Sequence, residues 1–467
     1  MYKKGHIHFV GIGGIGMSGI AKILKYQGYT ISGCDNDLEQ KSVEDLIKIG
    51  CSVFKGNNTE FCKNNSTDIL IFSSAIKSEN PEIKWAQEKG IPTIPRALML
   101  AELMRTKYSI AITGSHGKTT TTSIISHILI EAHKDPTVII GGHLHSISAN
   151  ARLGNGDFLV AEADESDRSF LRLYPTLAVV TNIDLEHLET YKDLDDIKNT
   201  FKNFLENIPF YGKAIICIDD PNVRSILPLT TVKTIKYGLD NQADIKPDIY
   251  ATDIELFPDS SKFNIWHNQN KLGQVTLNMP GKHNILNSLA ATAICLDVGV
   301  NFEIIAKALS DFKGVDRRFT FKGTYKNAEF FDDYGHHPTE IYHTLLVARK
   351  RSKGKLIVVF QPHRYIRTHR LWQDFIDIFK NSSIDKLIIT DIYSAGETPI
   401  DGVTGQNLVN EINNSGAKFQ TYYAGFNGNF CDIKNILESE ISENDLVLTL
   451  GAGKVNKLFM AITENKY

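Results

Sequence analysis

The sequence predicts an α/β protein of three domains. It has 467 residues, which corresponds to about three domains of roughly 150 residues each. Short apolar runs rich in β-branched residues alternate with helical patterns along the chain, as in sheets of buried parallel strands. Two glycine-rich loops, at residues 11–16 and 114–120, each follow such a run and precede a helical pattern. We expect domains at residues 1–107, 108–318 and 319–467.

The composition is that of an ordinary globular protein, with 42% hydrophobic and 22% charged residues. The net charge of -3 and the even spread of basic residues give no reason to expect a nucleic-acid partner. The sequence contains no run of about 18 apolar residues, so a membrane span is not expected. Lys3 and Lys4 precede an apolar stretch as in a signal peptide, but the glycines that follow break it up. We therefore expect a cytoplasmic protein that is a monomer or a weak homodimer.

The cysteine pattern carries little chemistry. The six cysteines are scattered and none forms a C-x-x-C pair, so the spacing gives weak support for a zinc or redox site. Scattered thiols without a disulfide framework fit a reducing compartment.

The first domain begins with a strand at residues 6–10, a glycine loop, and a helix at 17–27 that Gly28 is placed to end. Further strands are expected at 30–33 and 67–73. This order is typical of a Rossmann-like nucleotide-binding unit.

The second domain is expected to contain strands at 109–113, 158–163, 177–183 and 214–218, and helices at 119–131 and 284–298. Residues 250–277 alternate between apolar and polar side chains, which suggests an antiparallel addition. The strand, glycine loop and helix at 109–131 indicate an α/β domain of the P-loop ATPase type.

The third domain has strands at 356–360, 386–390 and 446–450, with helical patterns between them. Each strand ends in polar or glycine-rich residues. Because ligands of open α/β sheets bind beyond the carboxyl ends of the strands, we expect these three ends to face one site on a second Rossmann-like domain.

A phosphate-binding loop is predicted at Gly114-Ser115-His116-Gly117-Lys118-Thr119-Thr120. Glycines let the backbone approach an anion, and the N-terminus of the following helix supplies partial positive charge. Lys118 can reach the β- and γ-phosphates of ATP, and the hydroxyl of Thr119 or Thr120 can ligate Mg²⁺. Ile112 stands where the general motif has its first glycine, so the spacing is a distinct, tighter variant.

Acidic residues and a histidine lie at the ends of two predicted strands of the second domain. Glu162, Asp164 and Glu165 follow the apolar run that ends at Val160, and His187 follows the strand that ends near Ile183. If both strands are parallel, Glu162 and His187 lie at the same edge as the phosphate loop, where they could hold divalent cations. A carboxylate at a strand end can instead cap a helix, and a lone histidine is often a structural polar residue.

The N-terminal loop Gly11-Ile-Gly13-Gly14-Ile-Gly16 satisfies the dinucleotide-binding pattern, and Asp35 lies where a ribose-binding acid would sit. By itself this pattern indicates a nicotinamide-dependent dehydrogenase. The same loop binds any diphosphate, including that of a UDP-sugar, and a dehydrogenase would leave the second phosphate loop unexplained.

Together these motifs resemble the Mur ligase family, over nearly the whole chain. The segment most typical of its alanine-adding members is 332–340. The other matching segments are 6–19, 114–120, 162–167, 280–284, 315–319, 360–364 and 391–396.

The resemblance implies that the first domain binds UDP-N-acetylmuramate, that the middle domain binds ATP with Mg²⁺ or Mn²⁺, and that the third closes over both with the amino acid. ATP would phosphorylate the lactyl carboxylate, and the amino group of L-alanine would attack the acyl phosphate in the synthesis of a peptidoglycan precursor. Such a transfer depends on positioning and charge neutralisation.

The resemblance also assigns residues to roles. The metal ligands are Thr119, Glu162 and His187. The remaining ATP contacts are His283, Asn284, Asn287, Arg318 and Asp333. The residues at alanine and the reacting carboxylate are Tyr334, His336, Arg364 and Arg367. Ser73, Ser74, Arg96 and Ser166 join the N-terminal loop and Asp35 as UDP-sugar contacts.

Two positions depart from the family pattern. Ser115 replaces the usual threonine and keeps the hydroxyl, whereas Glu186 replaces an aspartate, which leaves the role of that acid open. One alternative, a recycling ligase that attaches a preformed tripeptide to the same sugar nucleotide, shares most of these motifs. An alternative of a different class is a non-catalytic nucleotide-binding regulator. Residues 332–340 favour the addition of a single alanine.

Overall fold

A computed structural model describes residues 4–56, 60, 62–64, 66–73, 75–144, 149–239, 245–426 and 430–463. At residues 142–144 and 149 only the backbone is described. The strands in these ranges form three sheets, which confirms the predicted α/β class. No helix in the same ranges is both long and apolar enough to cross a membrane.

The chain divides into two compact units. Unit 1 contains Met1–Ile254, Lys262–Asn278 and Asn284–Gly314, and unit 2 contains Glu255–Ser261, Met279–His283 and Val315–Tyr467. The first two sheets lie essentially in unit 1 and the third in unit 2. The three domain boundaries expected from the sequence stay a prediction.

The first sheet is parallel, with strand order β3-β2-β1-β4-β5. Its elements are β1 (His6–Val10), α1 (Ile15–Tyr26), β2 (Thr30–Asp35), α2 (Lys41–Lys48), β3 (Ser52–Lys55), β4 (Ile69–Phe72), α3 (Pro81–Glu88), β5 (Thr93–Pro95) and α4 (Arg96–Arg105). The order reverses beside β1, so the glycine loop after β1 lies at the topological switch point, where α/β sheets bind ligands.

The second sheet has the order β15-β14-β13-β12-β11-β10-β6-β9-β7-β8. Its strands are β6 (Tyr108–Thr113), β7 (Thr137–Leu144), β8 (Ala149–Arg152), β9 (Phe158–Glu162), β10 (Leu177–Val180), β11 (Lys213–Cys217), β12 (Lys233–Leu239), β13 (Ile249–Leu256), β14 (Ser261–His267) and β15 (Asn270–Leu277). Its helices are α5 (Lys118–Glu131), α6 (Leu194–Glu206), α7 (Pro221–Ser225), α8 (Lys282–Asp297) and α9 (Phe302–Asp311).

Three central strands of the second sheet bring the predicted site residues to one edge. β6 pairs in parallel with β9 on one side and with β10 on the other. The register aligns Ile112 with Glu162 and Thr113 with Val180, so the three strands end together. This confirms the parallel arrangement expected from the sequence. β10 stops at Val180, three residues earlier than predicted, because the chain then turns to contact the phosphate loop.

The third sheet has the order β16-β17-β21-β18-β19-β20. Its strands are β16 (Thr320–Tyr325), β17 (Ala328–Asp333), β18 (Leu356–Phe360), β19 (Lys386–Ile389), β20 (Gln420–Tyr423) and β21 (Leu446–Leu450). Its helices are α10 (Pro338–Arg351), α11 (Tyr365–Arg370), α12 (Trp372–Lys380), α13 (Gly405–Asn414), α14 (Cys431–Glu440) and α15 (Leu458–Thr463). The fully buried β18 and β21 lie side by side and parallel. As predicted, the carboxyl ends of β18, β19 and β21 meet at one edge.

Candidate active site

The phosphate loop connects β6 to α5 and depends on two glycines in the left-handed region. Gly114 has φ +130° and Gly117 has φ +83°. A Cβ on Gly114 would lie 2.1 Å from Oγ1 of Thr181, and one on Gly117 would lie 2.7 Å from Oδ1 of Asn287. Both strain and lack of space therefore disfavour larger residues at Gly114 and Gly117. The backbone of the loop stays close to the first turn of α5, where an anion is favoured.

Lys118 lies at the mouth of this loop. Its Nζ donates hydrogen bonds to the carbonyl oxygens of Gly114 (2.5 Å) and Ser115 (3.1 Å), and to Oε1 of Glu165 (2.7 Å). Burial by itself lowers the pKa of Lys118, but the Glu165 carboxylate raises it above its usual value. The ammonium is therefore charged at physiological pH and is held where the loop would receive a phosphate.

The segment that follows β10 forms hydrogen bonds with the phosphate loop. The backbone N–H of His116 donates to Oδ1 of Asn182 (2.8 Å), and Nε2 of His116 lies 3.0 Å from Oδ2 of Asp184. The Ser115 hydroxyl accepts a hydrogen bond from the Asp184 N–H at 2.8 Å. This contact needs only a hydroxyl, which serine and threonine share. Asn182 and Asp184 carry no motif of their own, and sequence reasoning missed them.

A cluster of acids surrounds His187, which has a left-handed backbone with φ +54°. Its Nε2 lies 3.6 Å from Glu165 and 3.7 Å from Glu186, and its Nδ1 lies 3.9 Å from Glu189. Burial lowers the pKa of His187, but the hydrogen bonds and charges of these carboxylates outweigh it and raise the pKa to about 9. One donor atom from each of Glu165, Glu186 and His187 lies within 4.8 Å of the others.

This cluster differs in composition from the metal ligands predicted from the sequence. Thr119 is in the first turn of α5, and Glu162 ends β9 with its Oε1 accepting a hydrogen bond from the N–H of Gly141 at 2.8 Å. The carboxylates measured beside His187 are instead Glu165, Glu186 and Glu189. Glu165 lies in the turn after β9, and this turn brings its carboxylate to 3.6 Å from His187. The roles of Thr119 and Glu162 as ligands stay predictions.

Asn287 links α8 to the first turns of α5, next to the phosphate loop. Its Oδ1 accepts a hydrogen bond from the Thr121 hydroxyl at 3.1 Å, and its Nδ2 donates to Oδ1 of Asn284 at 3.4 Å. Thr120 is buried in the first turn of α5. His283 belongs to unit 2, where burial and the nearby His343 and Arg318 lower its pKa to about 3. The adenine contacts predicted for these residues stay a prediction.

The N-terminal glycine loop is held by β2. The N–H groups of Gly11 and Ile12 donate to the carbonyl oxygen of Cys34 at 2.9 and 3.0 Å, and the N–H of Gly13 donates to Oδ2 of Asp35 at 2.8 Å. Asp35 therefore orients the loop in this structure, and its proposed ribose contact stays a prediction. Gly14 caps α1. Ser73 adjoins Gly11, whereas Ser74 lies outside the described residues.

Arg96 links the N-terminal glycine loop to the segment that follows β9, within unit 1. A Cβ on Gly16 would lie 3.0 Å from Nη1 of Arg96, and Nη2 of Arg96 forms a 3.1 Å ion pair with Oδ2 of Asp164. Oδ1 of the same carboxylate accepts a hydrogen bond from the Ser166 N–H at 3.0 Å. Burial raises the pKa of Asp164, but Arg96 and the Ser166 contacts lower it overall. Asp164 thus faces the first loop while its neighbour Glu165 faces the second.

In unit 2, the segment around β17 brings two arginines to one aromatic ring. The guanidinium carbons of Arg317 and Arg318 lie 4.8 and 5.6 Å from the centre of the Tyr334 ring. Arg318 also pairs with Glu340 at 3.4 Å. Asp333 accepts hydrogen bonds from the N–H groups of Phe319 (2.8 Å) and Gly335 (2.7 Å), and its burial raises its pKa to about 6.

The ends of β17 and β18 gather the predicted acceptor-side residues. The His336 ring lies 5.3 Å from the Tyr334 ring and 5.6 Å from the His363 ring. Arg367 Nη1 lies 3.2 Å from Nδ1 of His363. Burial and neighbouring cationic groups lower the pKa of His363 to about 3, so the neutral ring can accept this hydrogen bond. Sequence reasoning missed His363, although it lies inside a quoted motif.

Arg364 has a different partner. Its Nε donates to Oε1 of Glu397 at 2.6 Å, and Oε2 of Glu397 accepts from the Ile366 N–H at 3.0 Å. Among the described residues, Arg367 forms no ion pair with a carboxylate. His337 caps α10, where its side chain and Glu340 form a capping box, so it has a structural role.

Three family models match the chain in succession. Residues 6–108 match the model described as the Mur ligase family catalytic domain, residues 112–295 the Mur ligase middle domain, and residues 317–453 the Mur ligase glutamate ligase domain.

Individual proteins are similar over nearly the whole chain. The UDP-N-acetylmuramate–L-alanine ligase of Geotalea uraniireducens is 48% identical over 457 residues, covering 97% of each chain. The crystal structure of the UDP-N-acetylmuramate-alanine ligase of Thermotoga maritima superposes with a TM-score of 0.81 at 27% identity, over 98% of both chains. A murein peptide ligase of Psychrobacter arcticus covers the same share with a TM-score of 0.73 at 22% identity, which is evidence for the shared fold only.

Proposed function

This chain belongs to the Mur ligase family, and we propose that it joins L-alanine to the lactyl carboxylate of UDP-N-acetylmuramate at the expense of ATP. The observation that carries the proposal is the link between two phosphate-binding loops in one unit. Asp164 pairs with Arg96 beside the first loop, and the adjacent Glu165 pairs with Lys118 in the second. An enzyme that phosphorylates a nucleotide-linked acid must hold two phosphorylated ligands side by side.

ATP is the ligand proposed for the loop at residues 114–120. The first turn of α5 presents backbone N–H groups and a partial positive charge to an anion. Lys118 adds a full charge at the place where a γ-phosphate would lie, and it is already oriented by Glu165 and two loop carbonyls. Such a preorganised cation stabilises the charge of the transferring phosphoryl group without reorganisation.

Magnesium is the metal that this chemistry requires, and the residues present fit it. Oε2 of Glu165 is buried and has no hydrogen-bond partner in the part of the chain that the structure describes. Glu165, Glu186 and His187 would hold the ion, together with Thr119 and Glu162 as the resemblance implies. When bound, it would neutralise charge on the phosphates of ATP.

UDP-N-acetylmuramate is assigned to the first domain. Gly11, Gly13, Gly14 and Gly16 let the backbone approach a diphosphate. Arg96, held by Asp164 beside Gly16, supplies a guanidinium suited to a phosphate or carboxylate. Since this nucleotide precursor and ATP are cytoplasmic metabolites, we place the reaction in the cytoplasm.

Arg367 is the residue we assign to the carboxylate of L-alanine. Its measured contacts are with neutral atoms of His363, so its charge is not neutralised by a described acid, whereas Arg364 is already paired with Glu397. Phosphorylation turns the lactyl carboxylate into an acyl phosphate. The free amine of alanine then attacks the acyl carbon, the amide C–N bond forms, and phosphate leaves.

The direct test measures ADP release with UDP-N-acetylmuramate, ATP and a panel of acceptors. Release that depends on L-alanine, with UDP-N-acetylmuramoyl-L-alanine as the product, is the expected result. A reaction with the murein tripeptide and none with alanine would make the chain a recycling ligase. ATP binding without acceptor-dependent ADP release would make it a regulator.

A further inference from the structure

A second group of potential metal ligands is buried inside the first domain, apart from the ATP loop. It consists of His8 on β1, Cys34 on β2, Cys62 between β3 and β4, and Glu82 in the first turn of α3. All four residues are 0% exposed to solvent. One donor atom from each lies within 4.8 Å of every other.

The measured distances bring these donors to a common centre. Nε2 of His8 lies 2.9 Å from Oε2 of Glu82. Sγ of Cys34 lies 3.1 Å from Oε1 and 3.3 Å from Oε2 of the same carboxylate. In a tetrahedral zinc site, bonds of about 2.0 to 2.3 Å separate neighbouring donors by roughly 3.3 to 3.8 Å. The distances among His8, Cys34 and Glu82 are therefore within a few tenths of an ångström of this spacing, and the Cys62 sulfur lies within 4.8 Å of the other three donors.

A chain of hydrogen bonds fixes the orientation of the His8 ring. Ser32 Oγ lies 2.7 Å from Nδ1 of His8 and 2.7 Å from Nε2 of His6, and Nδ1 of His6 lies 3.2 Å from Oγ of Ser66. If His6 is neutral with its proton on Nδ1, the Ser32 hydroxyl donates to His6 and accepts from Nδ1–H of His8. In the metal-free cluster the Nε2–H of His8 donates to Glu82, and metal binding would release this proton and leave the Nε2 lone pair directed at the ion.

From this geometry we propose that His8, Cys34, Cys62 and Glu82 form a structural site for one zinc ion or a comparable thiophilic divalent cation. Two thiolates, an imidazole and a carboxylate are ligands that zinc accepts, and complete burial suits a closed structural site rather than a catalytic one. The thiols distinguish this site from the oxygen-rich group at His187, where magnesium is preferred. The ligands are spread over four elements, which is why cysteine spacing gave no signal.

The proposed ion would join the core of the first domain to its glycine loop. The carbonyl oxygen of Cys34 accepts hydrogen bonds from the N–H groups of Gly11 and Ile12, and the next residue, Asp35, accepts from Gly13. Cys62 and Glu82 lie on segments far apart in the chain from β2. Metal binding would therefore hold these segments against the strand that positions the loop.

The test uses the full-length, reduced protein loaded with Zn²⁺ or Co²⁺ in the presence of excess Mg²⁺. We expect a single equivalent of zinc that survives dialysis. The cobalt form should show thiolate-to-metal charge-transfer absorption, which ions bound at the cysteine-free His187 group cannot produce. Cys34→Ser and Cys62→Ser each remove one of the two thiolates and should diminish this absorption, whereas Cys51→Ser, which replaces another buried cysteine of the same domain, should leave it unchanged.

The measurement on the wild-type protein tests the proposed zinc site even if the cysteine variants fail to fold. A folded, fully reduced wild-type protein that retains no zinc and shows no charge-transfer band overturns the proposal and leaves the cluster a hydrogen-bonded core. A band of undiminished intensity in both Cys34→Ser and Cys62→Ser would overturn it equally. Addition of a zinc chelator is expected to lower the melting temperature of the loaded wild type, and no change in that temperature would count against a structural ion.

Discussion

The ammonium of Lys118 lies 2.7 Å from Oε1 of Glu165, and both side chains are largely shielded from solvent. Glu165 also faces His187 at 3.6 Å. One carboxylate thus touches both the cation proposed to bind the γ-phosphate and the histidine of the proposed metal site. The charge balance of the site therefore depends on the ion pair between Lys118 and Glu165.

Lys118→Met is expected to abolish alanine-dependent ADP release and to destabilise the protein. Removing one partner of a buried pair costs up to about 3 to 5 kcal/mol, because Glu165 then has only the more distant His187 to offset its charge. Adding Glu165→Gln should restore most of the free energy of unfolding but none of the activity, because the cation is still missing. Urea denaturation and ADP release measure the two effects separately. Activity in the double variant would show that Lys118 is not required for the transfer.

Gly117→Ala is expected to raise the KM for ATP at least tenfold. The residue has φ +83°, and the new Cβ would lie 2.7 Å from Oδ1 of Asn287. Gly299→Ala is the matched control, because Gly299 has φ +78° but nothing within 4 Å of a Cβ. Both variants carry left-handed strain of roughly 1 to 2 kcal/mol. Because only the Cβ of Gly117→Ala, which lies in the phosphate loop, would meet a neighbouring atom, only this variant should change the kinetics. An equal change in both would assign the effect to general destabilisation.

The sequence predicted the parts of the site that depend on local pattern. Alternation of apolar strands and helices predicted which strand ends meet, and the glycine motifs predicted the two strand–loop–helix turns at which we propose that phosphates bind. It did not predict that Glu165 lies 3.6 Å from His187, because the turn that follows β9 has no periodic pattern from which the direction of its side chains could be read. It also missed the pairing of Arg364 with Glu397, since the two residues are brought together only by the folded third sheet.

The stability of the metal-free protein should depend on pH through His187. Its pKa is about 9 in the folded state against 6.5 as the ordinary value. A raised pKa contributes stability that is fully present below pH 6.5 and is lost as pH rises through about 9. The loss is at most about 3 kcal/mol. Urea denaturation in chelator from pH 6 to 10 should show it in the wild type and not in His187→Gln. Parallel pH curves for the two proteins would contradict the assignment.

Arg367→Ala is expected to raise the KM for L-alanine with little effect on the KM for ATP. In our proposal its guanidinium binds the carboxylate of alanine, and loss of such a charged hydrogen bond costs roughly 1.5 to 3 kcal/mol, or about 10- to 150-fold in affinity. Arg370→Ala is the matched control, because Arg370 is an exposed arginine on the same helix, α11. It should leave both constants unchanged, and steady-state kinetics with each substrate varied in turn makes the comparison.

The conservative variant Arg367→Lys separates charge from geometry. A lysine keeps the positive charge but cannot reproduce the planar fork that binds a carboxylate through two nitrogens. We expect it to recover part of the affinity for alanine while remaining weaker than the wild type. If Arg367→Ala changes the KM for ATP and the KM for alanine alike, the residue supports the fold of the third domain and the alanine carboxylate must bind elsewhere.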